Sequence, residues 1–485
     1  MRRNALPACA ALLATLAGCA IGPDFRRPDG PAVSRYTAHA APGETVAAQG
    51  KVQKFAPGKA LQADWWRLLG SAQLNDLVAQ AFARNPSVEA AQASLRQSEY
   101  ALRAGNGIFF PQVGVGGSAV RQKLNPLRLG QKGPSTIFNL FTLSASVSYT
   151  LDIFGGQRRV EKLQAQVDVP RYSLLATYLT LSANVVNTAI ARASYLAQIA
   201  ATQELLALEQ EQAQISETQA KAGTQPYASF LAVQSQLAST EALLPPLEQG
   251  SDQATHLLAA LLGRTPAEME VPEIALTELV LPAELPVSLP SQLVRQRPDI
   301  LVAEGLLRVA SANIGLATAA LLPSLSLTAG YGANHTDLSQ LLTASSTFWN
   351  LGAGLAMPLF DGGTLWFQRK AAVEAYQQAA ATYRETVLSA FAQVADVLRA
   401  LEHDAQTLAA QERSVQAARE SLRLVQVSYQ VGVANYLQVL AADQQLLQAR
   451  LGQIRAQGQR LHDTVALYAA LGGGWWSAKE QANGR

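Results

Sequence analysis

Cys19 is the residue whose type and position most clearly predict a chemical modification. It closes the sequence Leu-Ala-Gly-Cys at residues 16–19, which is similar to the motif at which bacterial lipoproteins are cleaved and acylated on the thiol. Two arginines and a short apolar run at residues 6–16 precede it, as in a secretory signal peptide. We therefore predict a signal peptide at residues 1–18 and a lipid-modified N-terminus at Cys19. An ordinary cleavage site before a cysteine is the alternative.

No other set of residues has the spacing of an active site. The five histidines are dispersed, without the His-Glu-x-x-His or Cys/His spacing of a metal site. A glycine-rich run at residues 114–117 lacks the helix and the acidic residue that a nucleotide-binding loop requires. The net charge of +2 creates no field that would attract nucleic acid. We predict that the protein is not an enzyme and has no cofactor, no metal site and no nucleic-acid partner.

Residues 141–151 predict a β-strand with two different faces. Apolar residues alternate there with serines and threonines, and a period of two places each set on its own face. About ten residues is also the length of a tilted strand that crosses a bilayer. A strand of a soluble sandwich would show the same alternation. Gly155 and Gly156 then form a strand–helix joint, and a basic helical segment begins at Gln157.

The same plan recurs about 210 residues later, which indicates two tandem repeats. Gly362 and Gly363 form the second strand–helix joint, and Gly432 corresponds to Gly223. The predicted membrane strands lie at about residues 112–122, 141–151, 324–333 and 348–358. The predicted domains are a lipidated extended arm at 19–63, a first repeat at 64–290, a second repeat at 291–472 and a polar tail at 473–485.

Long helices follow each pair of predicted strands. Residues 157–221 are interrupted in pattern only by Pro170, and at about 1.5 Å per residue they predict a helix close to 100 Å long. The last helix has a heptad seam for packing against another helix, formed by Leu440, Leu447, Ile454, Leu461 and Tyr468. A soluble coiled-coil protein is the alternative interpretation of this pattern.

Together these elements predict a mainly α-helical protein with transmembrane β-strands. If the apolar strand faces meet lipid, the small polar faces must line a lumen. Open sheet edges are not tolerated in hydrocarbon, and four strands are too few to close a barrel. The barrel must therefore be shared among two, three or four protomers, with eight, twelve or sixteen strands. Such a barrel on long helices would conduct solutes rather than react with them.

The chain resembles the TolC-like family of outer-membrane factors, in particular the lipoprotein (NodT/OprM-type) branch of tripartite efflux systems. The resemblance covers nearly the whole mature chain and rests on the order and spacing of several segments. These are LAGC at 16–19, DWW at 64–66, SYTLDIFGGQRR at 148–159, LLPPLEQ at 243–249, RQRPDILVAEGLL at 295–307, the run 348–363 and SYQVGVANYLQVL at 428–440.

This resemblance implies a homotrimer in which four strands per protomer form a 12-stranded outer-membrane β-barrel on a long α-helical periplasmic barrel. It also implies a periplasmic adaptor protein and an inner-membrane pump as partners. The chain is then expected in the cell outer membrane, anchored in its lipid at Cys19 and extending into the periplasm. Ala20, rather than aspartate, follows Cys19, and by resemblance to lipoprotein sorting this also favours the outer membrane.

Members of this family close the periplasmic end with helices joined by two tight turns, which here are residues 221–227 and 431–436. The resemblance implies that the adaptor-facing positions of the turns are Gly223, Pro226, Gly432 and Asn435. It also places the periplasmic aperture at Tyr429, Gln430, Leu437, Ala441 and Asp443. Arginine is common in the family at the position of Gln430 and aspartate at that of Ala441. We therefore expect a gate that depends on apolar packing, and ordinary coiled-coil core is the alternative for Tyr429 and Leu437.

We predict an outer-membrane channel lipoprotein of a tripartite efflux pump that serves as a passive exit duct for small compounds such as drugs. One alternative is the outer channel of a type I protein secretion system, although relatives in that role generally lack the lipidation motif at Cys19. The other is a structural surface lipoprotein with a helical stalk and no pore. The lining of such a duct is generic, so we expect the pump to select the substrate.

Overall fold

The structure is a computed structural model that describes residues 21–39, 43–126, 130, 132–268 and 270–476. The predicted signal peptide at 1–18 and the lipidation site Cys19 lie outside the described residues, as do residues 477–485 of the predicted tail. The chain divides into two compact units. The first contains Leu95–Pro170, Ala303–Tyr383 and the described residues up to Arg27, and the second contains the remainder. Each unit therefore takes segments from both predicted repeats.

Groups of strands and groups of helices follow one another along the chain. The strands are β1 Lys54–Pro57, β2 Gln112–Leu124, β3 Thr136–Leu151, β4 Glu284–Val287, β5 Ser324–His335 and β6 Thr347–Ala356. The α-helices are α1 Ala72–Arg84, α2 Pro86–Gly105, α3 Gly156–Lys221, α4 Tyr227–Glu241, α5 Leu244–Leu261, α6 Pro290–Gln296, α7 Pro298–Ala319, α8 Thr364–Gln430 and α9 Tyr436–Ala470. Helices α3 and α8 contain 66 and 67 residues, and α3 continues through Pro170.

The first unit is organised around an antiparallel sheet with the strand order β2-β3-β5-β6. Strand β3 begins at Thr136, five residues before the start predicted from alternation, because its ladder with β2 continues to the pair Leu124 and Thr136. Strand β6 ends at Ala356, although residues up to 358 were predicted in it. Pro358 has no backbone N–H to donate to a ladder, which is consistent with the earlier end.

The second unit is mostly helical, with the predicted heptad seam at its centre. Leu440, Leu447, Leu461 and Tyr468 are buried, and Ile454 is half-buried. The packed chain extends further than predicted at its C-terminal end. The indole Nε1 of Trp475 donates to the carbonyl oxygen of Gln296 at 2.8 Å, and Gly473 and Gly474 are buried. Residues 473–476, at the start of the predicted polar tail, are therefore packed within the second unit.

Part of the predicted extended arm is also packed. Strand β1 pairs in parallel with β4, in a stretch with no periodic signal. Arg460 on helix α9 is fully buried and fixes the arm from the other side. Its Nε donates to Gln53 Oε1 at 3.0 Å and its Nη2 donates to Thr45 Oγ1 at 3.2 Å. Sequence periodicity reveals neither four-residue strands nor the contacts of a single buried side chain.

Two helices, Gly156–Lys221 and Pro298–Ala319, are long and apolar enough by composition to cross a membrane. However, 44% and 56% of their apolar windows are already buried inside the protein. Packed core helices pass the same test of length and hydropathy, so two such helices are weak evidence for a membrane-spanning helix.

Candidate functional site: the two-faced sheet and the ends of the long helices

The sheet of the first unit has one apolar face and one face of small polar residues. Partners in register lie side by side, and one such row consists of Val115, Ala145, Tyr331 and Trp349. The adjacent row, on the opposite face, consists of Gly114, Ser146, Gly330 and Asn350. Val115 and Trp349 are 77% and 76% exposed in the protomer. An apolar face this open requires lipid or another protein against it.

Both outer strands of this sheet are open. Strand β2 pairs only with β3, and β6 pairs only with β5, within the described part of the chain. Each therefore presents a row of unpaired backbone N–H and C=O groups, which cannot remain exposed in hydrocarbon. The two edges can be satisfied if β6 of one protomer pairs with β2 of the next.

The first strand–helix joint depends on Asp152 as well as on its glycines. The amide of Gly155 donates to Asp152 Oδ1 at 2.8 Å, and the amide of Gly156 donates to the Asp152 carbonyl oxygen at 3.1 Å. A Cβ at Gly155 would lie only 2.7 Å from Asp152 Oδ1 and 3.2 Å from the Cβ of Ala319. A side chain at position 155 would therefore crowd the Asp152 carboxylate that holds the joint, which favours glycine where the strand becomes a helix.

The second joint uses a different glycine property. Gly362 and Gly363 have φ values of 69° and 87°, which is the left-handed region that favours glycine. The Asp361 carboxylate then accepts from the amides of Gly363 and Leu365 at 3.0 and 2.8 Å. An aspartate just before a helix is a recognisable capping signal, so Asp361 and Asp152 could have been predicted together with the glycines.

Arg158 lies at the start of helix α3 and holds the N-terminal arm of the first unit. Its side chain is only 2% exposed. Its Nε donates to the Ile21 carbonyl oxygen at 3.1 Å, and its Nη2 donates to the Gly22 carbonyl oxygen at 3.1 Å and to Asp24 Oδ1 at 2.7 Å. Its Nη1 donates to Glu161 Oε2 at 2.7 Å. The first described residues after the predicted lipidation site are therefore bound by one buried guanidinium.

Helix α7 supports the same arm at three further points. Gly22 approaches so closely that a Cβ on it would lie 2.6 Å from the Cα of Gly315. Arg27 Nε lies 2.8 Å from Glu304 Oε2, and the Arg308 guanidinium lies 5.2 Å from the centre of the Phe25 ring. These contacts join residues that are far apart in the sequence, and no local pattern predicted them.

A cavity of about 760 Å³ opens beside the first joint, within the first unit. It is lined by the ends of strands β3 and β5 and by residues of helices α2 and α7, and both Asp152 and Arg159 face it. These two side chains form an ion pair of 3.2 Å. Among the residues that the structure describes, no group of three or more His, Cys, Asp and Glu side chains is placed to hold a metal ion.

In the second unit, the two predicted turns have nearly the same backbone geometry. Gly223 and Gly432 are left-handed, with φ values of 73° and 76°. Thr224 N donates to Gln219 O and Val433 N donates to Ser428 O, which is the long bond of a helix-terminating Schellman motif in each case. The turns differ at the next helix, where Asn435 forms a capping box with Gln438 but Pro226 makes no side-chain cap.

The structure separates the five predicted aperture residues into two groups. Tyr429, Gln430, Leu437 and Ala441 are exposed on the protomer. Asp443 instead is half-buried beside Glu209 of helix α3, and burial followed by the Glu209 charge raises the pKa of Asp443 to about 6. Sequence reasoning missed Glu209, because an acid in a segment rich in Gln and Glu is typical of a solvated helix face.

A family model described as "Outer membrane efflux protein" matches residues 77–264 and 289–473. The chain is 29% identical over 481 residues to the cation efflux system protein CusC of Escherichia coli O6:H1, covering 97% of this chain and 98% of that protein. It is 30% identical over 480 residues to the probable efflux pump outer membrane protein TtgC of Pseudomonas putida, with coverage of 96% and 95%.

The fold is similar to solved structures of the same kind. The outer-membrane channel OprN superimposes with a TM-score of 0.84 at 26% identity, and the match covers 94% of this chain and 100% of that one. The similarity therefore extends over nearly the whole chain.

Proposed function

The chain belongs to the outer membrane efflux protein family, and we propose that it forms the passive exit duct of a tripartite efflux pump. It is an outer-membrane efflux channel protein with the fold of the trimeric channels in this family. In the proposed assembly, four strands from each of three protomers close a twelve-stranded barrel in the outer membrane, and the long helices extend into the periplasm.

The observation that carries this proposal is the two-faced sheet with two open edges. The apolar row through Val115 and Trp349 suits lipid, and the opposite row of glycine, serine and asparagine suits a water-filled lumen. Pairing of β6 with β2 of the next protomer removes both open edges at once. A structural stalk without a pore would require neither the two-faced sheet nor its two open edges.

We assign the two turns and their flanks to the contact with a periplasmic adaptor and, through it, with an inner-membrane pump. Several apolar side chains near the turns are exposed in the protomer, namely Tyr227, Leu231, Val427, Val431 and Val433. A Cβ added to Gly223 or Gly432 would meet no described atom within 4 Å, so the turn backbone is open to a partner.

We further propose that the aperture is gated by apolar packing. Tyr429 and Tyr436 form an edge-to-face pair with ring centres 5.7 Å apart, and Leu437 is exposed next to them. Gln430 and Ala441 carry no charge that could form an aperture salt bridge or an acidic ring. The support for this proposal is the exposure of these side chains in the protomer together with the family resemblance.

The test is single-channel conductance of the purified, lipidated protein in planar bilayers. We expect ion-conducting events in the wild type, or in a variant with the second turn loosened at Gly432. Conductance in neither protein would contradict the duct and favour a structural lipoprotein. If deletion of this channel abolishes secretion of a large polypeptide but leaves drug tolerance unchanged, type I secretion is favoured instead.

A further inference from the structure

A pair of acidic side chains lies between helices α3 and α9, in the second unit. Leu205 of α3 packs against Leu447 and Leu451 of α9 in one buried cluster. Glu209 follows Leu205 by one helical turn, and Asp443 precedes Leu447 by one helical turn, so each shares the face of its leucine. His462 Nδ1 of α9 lies 3.0 Å from Asn187 Oδ1 of α3, and Arg450 of α9 lies 2.7 Å from Glu204 of α3, so the two helices run antiparallel. The same register places Glu209 and Asp443 in the layer next to the leucines, where the Glu209 charge raises the pKa of Asp443.

Glu209 has the burial of a core residue but lacks the partners of a buried charge. Its side chain is 1% exposed. Glu209 Oε1 accepts from Gln236 Nε2 at 3.4 Å, and Oε2 has no hydrogen-bond partner among the described residues. A buried carboxylate in this situation is costly unless it binds a proton or meets a cation.

Among the residues that the structure describes, the groups that act on the pair supply no compensating positive charge. Hydrogen bonds from Thr240 and Gln236 of helix α4 lower the pKa of Glu209 and the Glu241 charge raises it, while the Glu209 charge raises the pKa of Asp443. Tyr436 and Tyr429 lie beside them, and the carboxylates raise the pKa of Tyr436 further after burial has raised it. Burial is the main cause that raises the pKa of both Glu209 and Asp443.

The same two helices carry a normal ion pair close by. Arg450 Nη1 of α9 lies 2.7 Å from Glu204 Oε2 of α3, and the Glu204 side chain is 63% exposed. Opposite charges therefore join α3 and α9 at one level, whereas the layer beyond the leucines contains two acids. This difference within one helix pair indicates that the acidic layer is a distinct site.

We propose that Glu209 and Asp443 form a proton-binding site that fastens helix α9 to helix α3, close to the end of the duct that the proposed function places in the periplasm. Binding one proton reduces the buried charge of the pair from two to one and favours the packed arrangement. Loss of that proton leaves two like charges in one layer and drives the helices apart. The inference rests on the proposed function only in assigning this separation to opening of the duct.

The direction of the pH dependence follows from the raised pKa values. A carboxyl group whose pKa is raised on packing binds its proton more tightly when packed, so packing is favoured at low pH and weakens as the pH rises. For Asp443, with a pKa of about 6, the packed-to-separated ratio should fall about tenfold between about pH 5 and pH 7.5.

The test compares the wild type with Glu209→Gln and Asp443→Asn, which keep side-chain size and remove the titration. The control is Glu204→Gln, an acid on the same helix that has a cationic partner. Hydrogen–deuterium exchange of residues 436–450 is measured in the purified full-length protein at pH 5 and pH 7.5. Each variant is compared with wild type at the same pH, which removes the intrinsic pH dependence of exchange.

We expect protection of these amides to fall about tenfold more in the wild type and in Glu204→Gln than in the two test variants as the pH rises. Equal pH dependence in all four proteins would overturn the proposal. A response to calcium and to a chelator, in place of a response to pH, would also overturn it, because the pair would then bind a metal cation.

Single-channel recordings separate the site from the duct. Open probability should rise with pH in the wild type and remain low and flat in Glu209→Gln. Channels that are equally pH-dependent in both proteins would overturn the link to gating. A pH-dependent exchange difference without conductance in any protein would leave the proton site in place and refute the duct.

Discussion

Helix α3 contains two buried charges, Arg158 near its start and Glu209 near its end, and their surroundings differ completely. Arg158 is 2% exposed and donates to two carbonyl oxygens and two carboxylates. Glu209 is 1% exposed, its only hydrogen-bond partners in the described part of the chain are the neutral side chains of Gln236 and Thr240, and its Oε2 has none. A fully partnered charge fixes its neighbours in one arrangement, whereas an unpartnered one makes its surroundings depend on its protonation.

This contrast indicates that the two ends of helix α3 have different roles. At the strand–helix joint, the guanidinium ties together the arm and helix α3. Near the turns, the carboxylate pair weakens the attachment of helix α9 whenever both groups are ionised. If the division holds, substitutions at the two ends of helix α3 should change stability in opposite directions.

The largest effect is expected from Arg158→Ala. The change leaves Asp24, Glu161 and the carbonyl groups of Ile21 and Gly22 without their donor, and losing several hydrogen bonds of one charged group at once costs about 3–5 kcal/mol. A lower melting temperature and faster proteolysis of the N-terminal arm would measure this loss of stability. The matched control is Arg159→Ala, because its ion pair with Asp152 is partly exposed and is worth about 0–1 kcal/mol. Similar losses from both variants would mean that the contacts of Arg158 are unimportant.

A charge added without partners on the apolar sheet face is expected to cost almost as much. Val147→Arg should destabilise the membrane-inserted protein by about 2–4 kcal/mol if the residue lies near the midplane. Ser146→Arg is the control, since the neighbouring residue points to the opposite face and should alter conductance while allowing assembly. Trimer yield in detergent measures the first effect, and equal loss in both variants would exclude a membrane wall at this strand.

A steric change next to Arg158 should have an intermediate effect. A Cβ at Gly315 would lie 2.6 Å from Arg158 Cγ and 2.9 Å from the Ile21 carbonyl oxygen, so Gly315→Ala should cost about 1–3 kcal/mol through overpacking. Gly107→Ala is the control, because a Cβ there would meet no described atom within 4 Å. Chemical unfolding of both variants measures the difference, and an unaffected Gly315→Ala would show that the arm is not packed as described.

The smallest effect is expected from Glu209→Gln, and its sign is opposite. Removing an unpartnered buried charge should stabilise the protein by about 1 kcal/mol near neutral pH. The gain should shrink toward pH 5, where a bound proton already lowers the charge of the wild-type pair from two to one, because the raised pKa makes wild-type stability fall as the pH rises. Unfolding curves of both proteins at pH 5 and 7.5 measure this difference. A stability difference that does not change with pH would show that Glu209 does not exchange a proton in this range.

Much of the fold is predictable from the sequence because its elements are long and regular. The alternation at residues 141–151 placed strand β3, and the glycines at 223 and 432 marked two turns whose left-handed residues require them. The contacts of Arg158 were not predictable, since Ile21 and Arg158 are distant in the sequence and meet only in the fold. Glu209 was missed for a related reason, because its burial depends on helices α4 and α9 and not on its own neighbours.

The order of the sheet has a consequence for how this chain reaches its native state. Strands β3 and β5 are adjacent in the sheet, yet both long helical segments of the first repeat and the start of the second lie between them in the chain. Contacts between such distant segments form slowly, because a large loop must close first. A ribosome must therefore complete most of the protein before β3 can find its second neighbour. Until then the hairpin of β2 and β3 exposes an apolar face and an unpaired strand edge, which are features that promote aggregation.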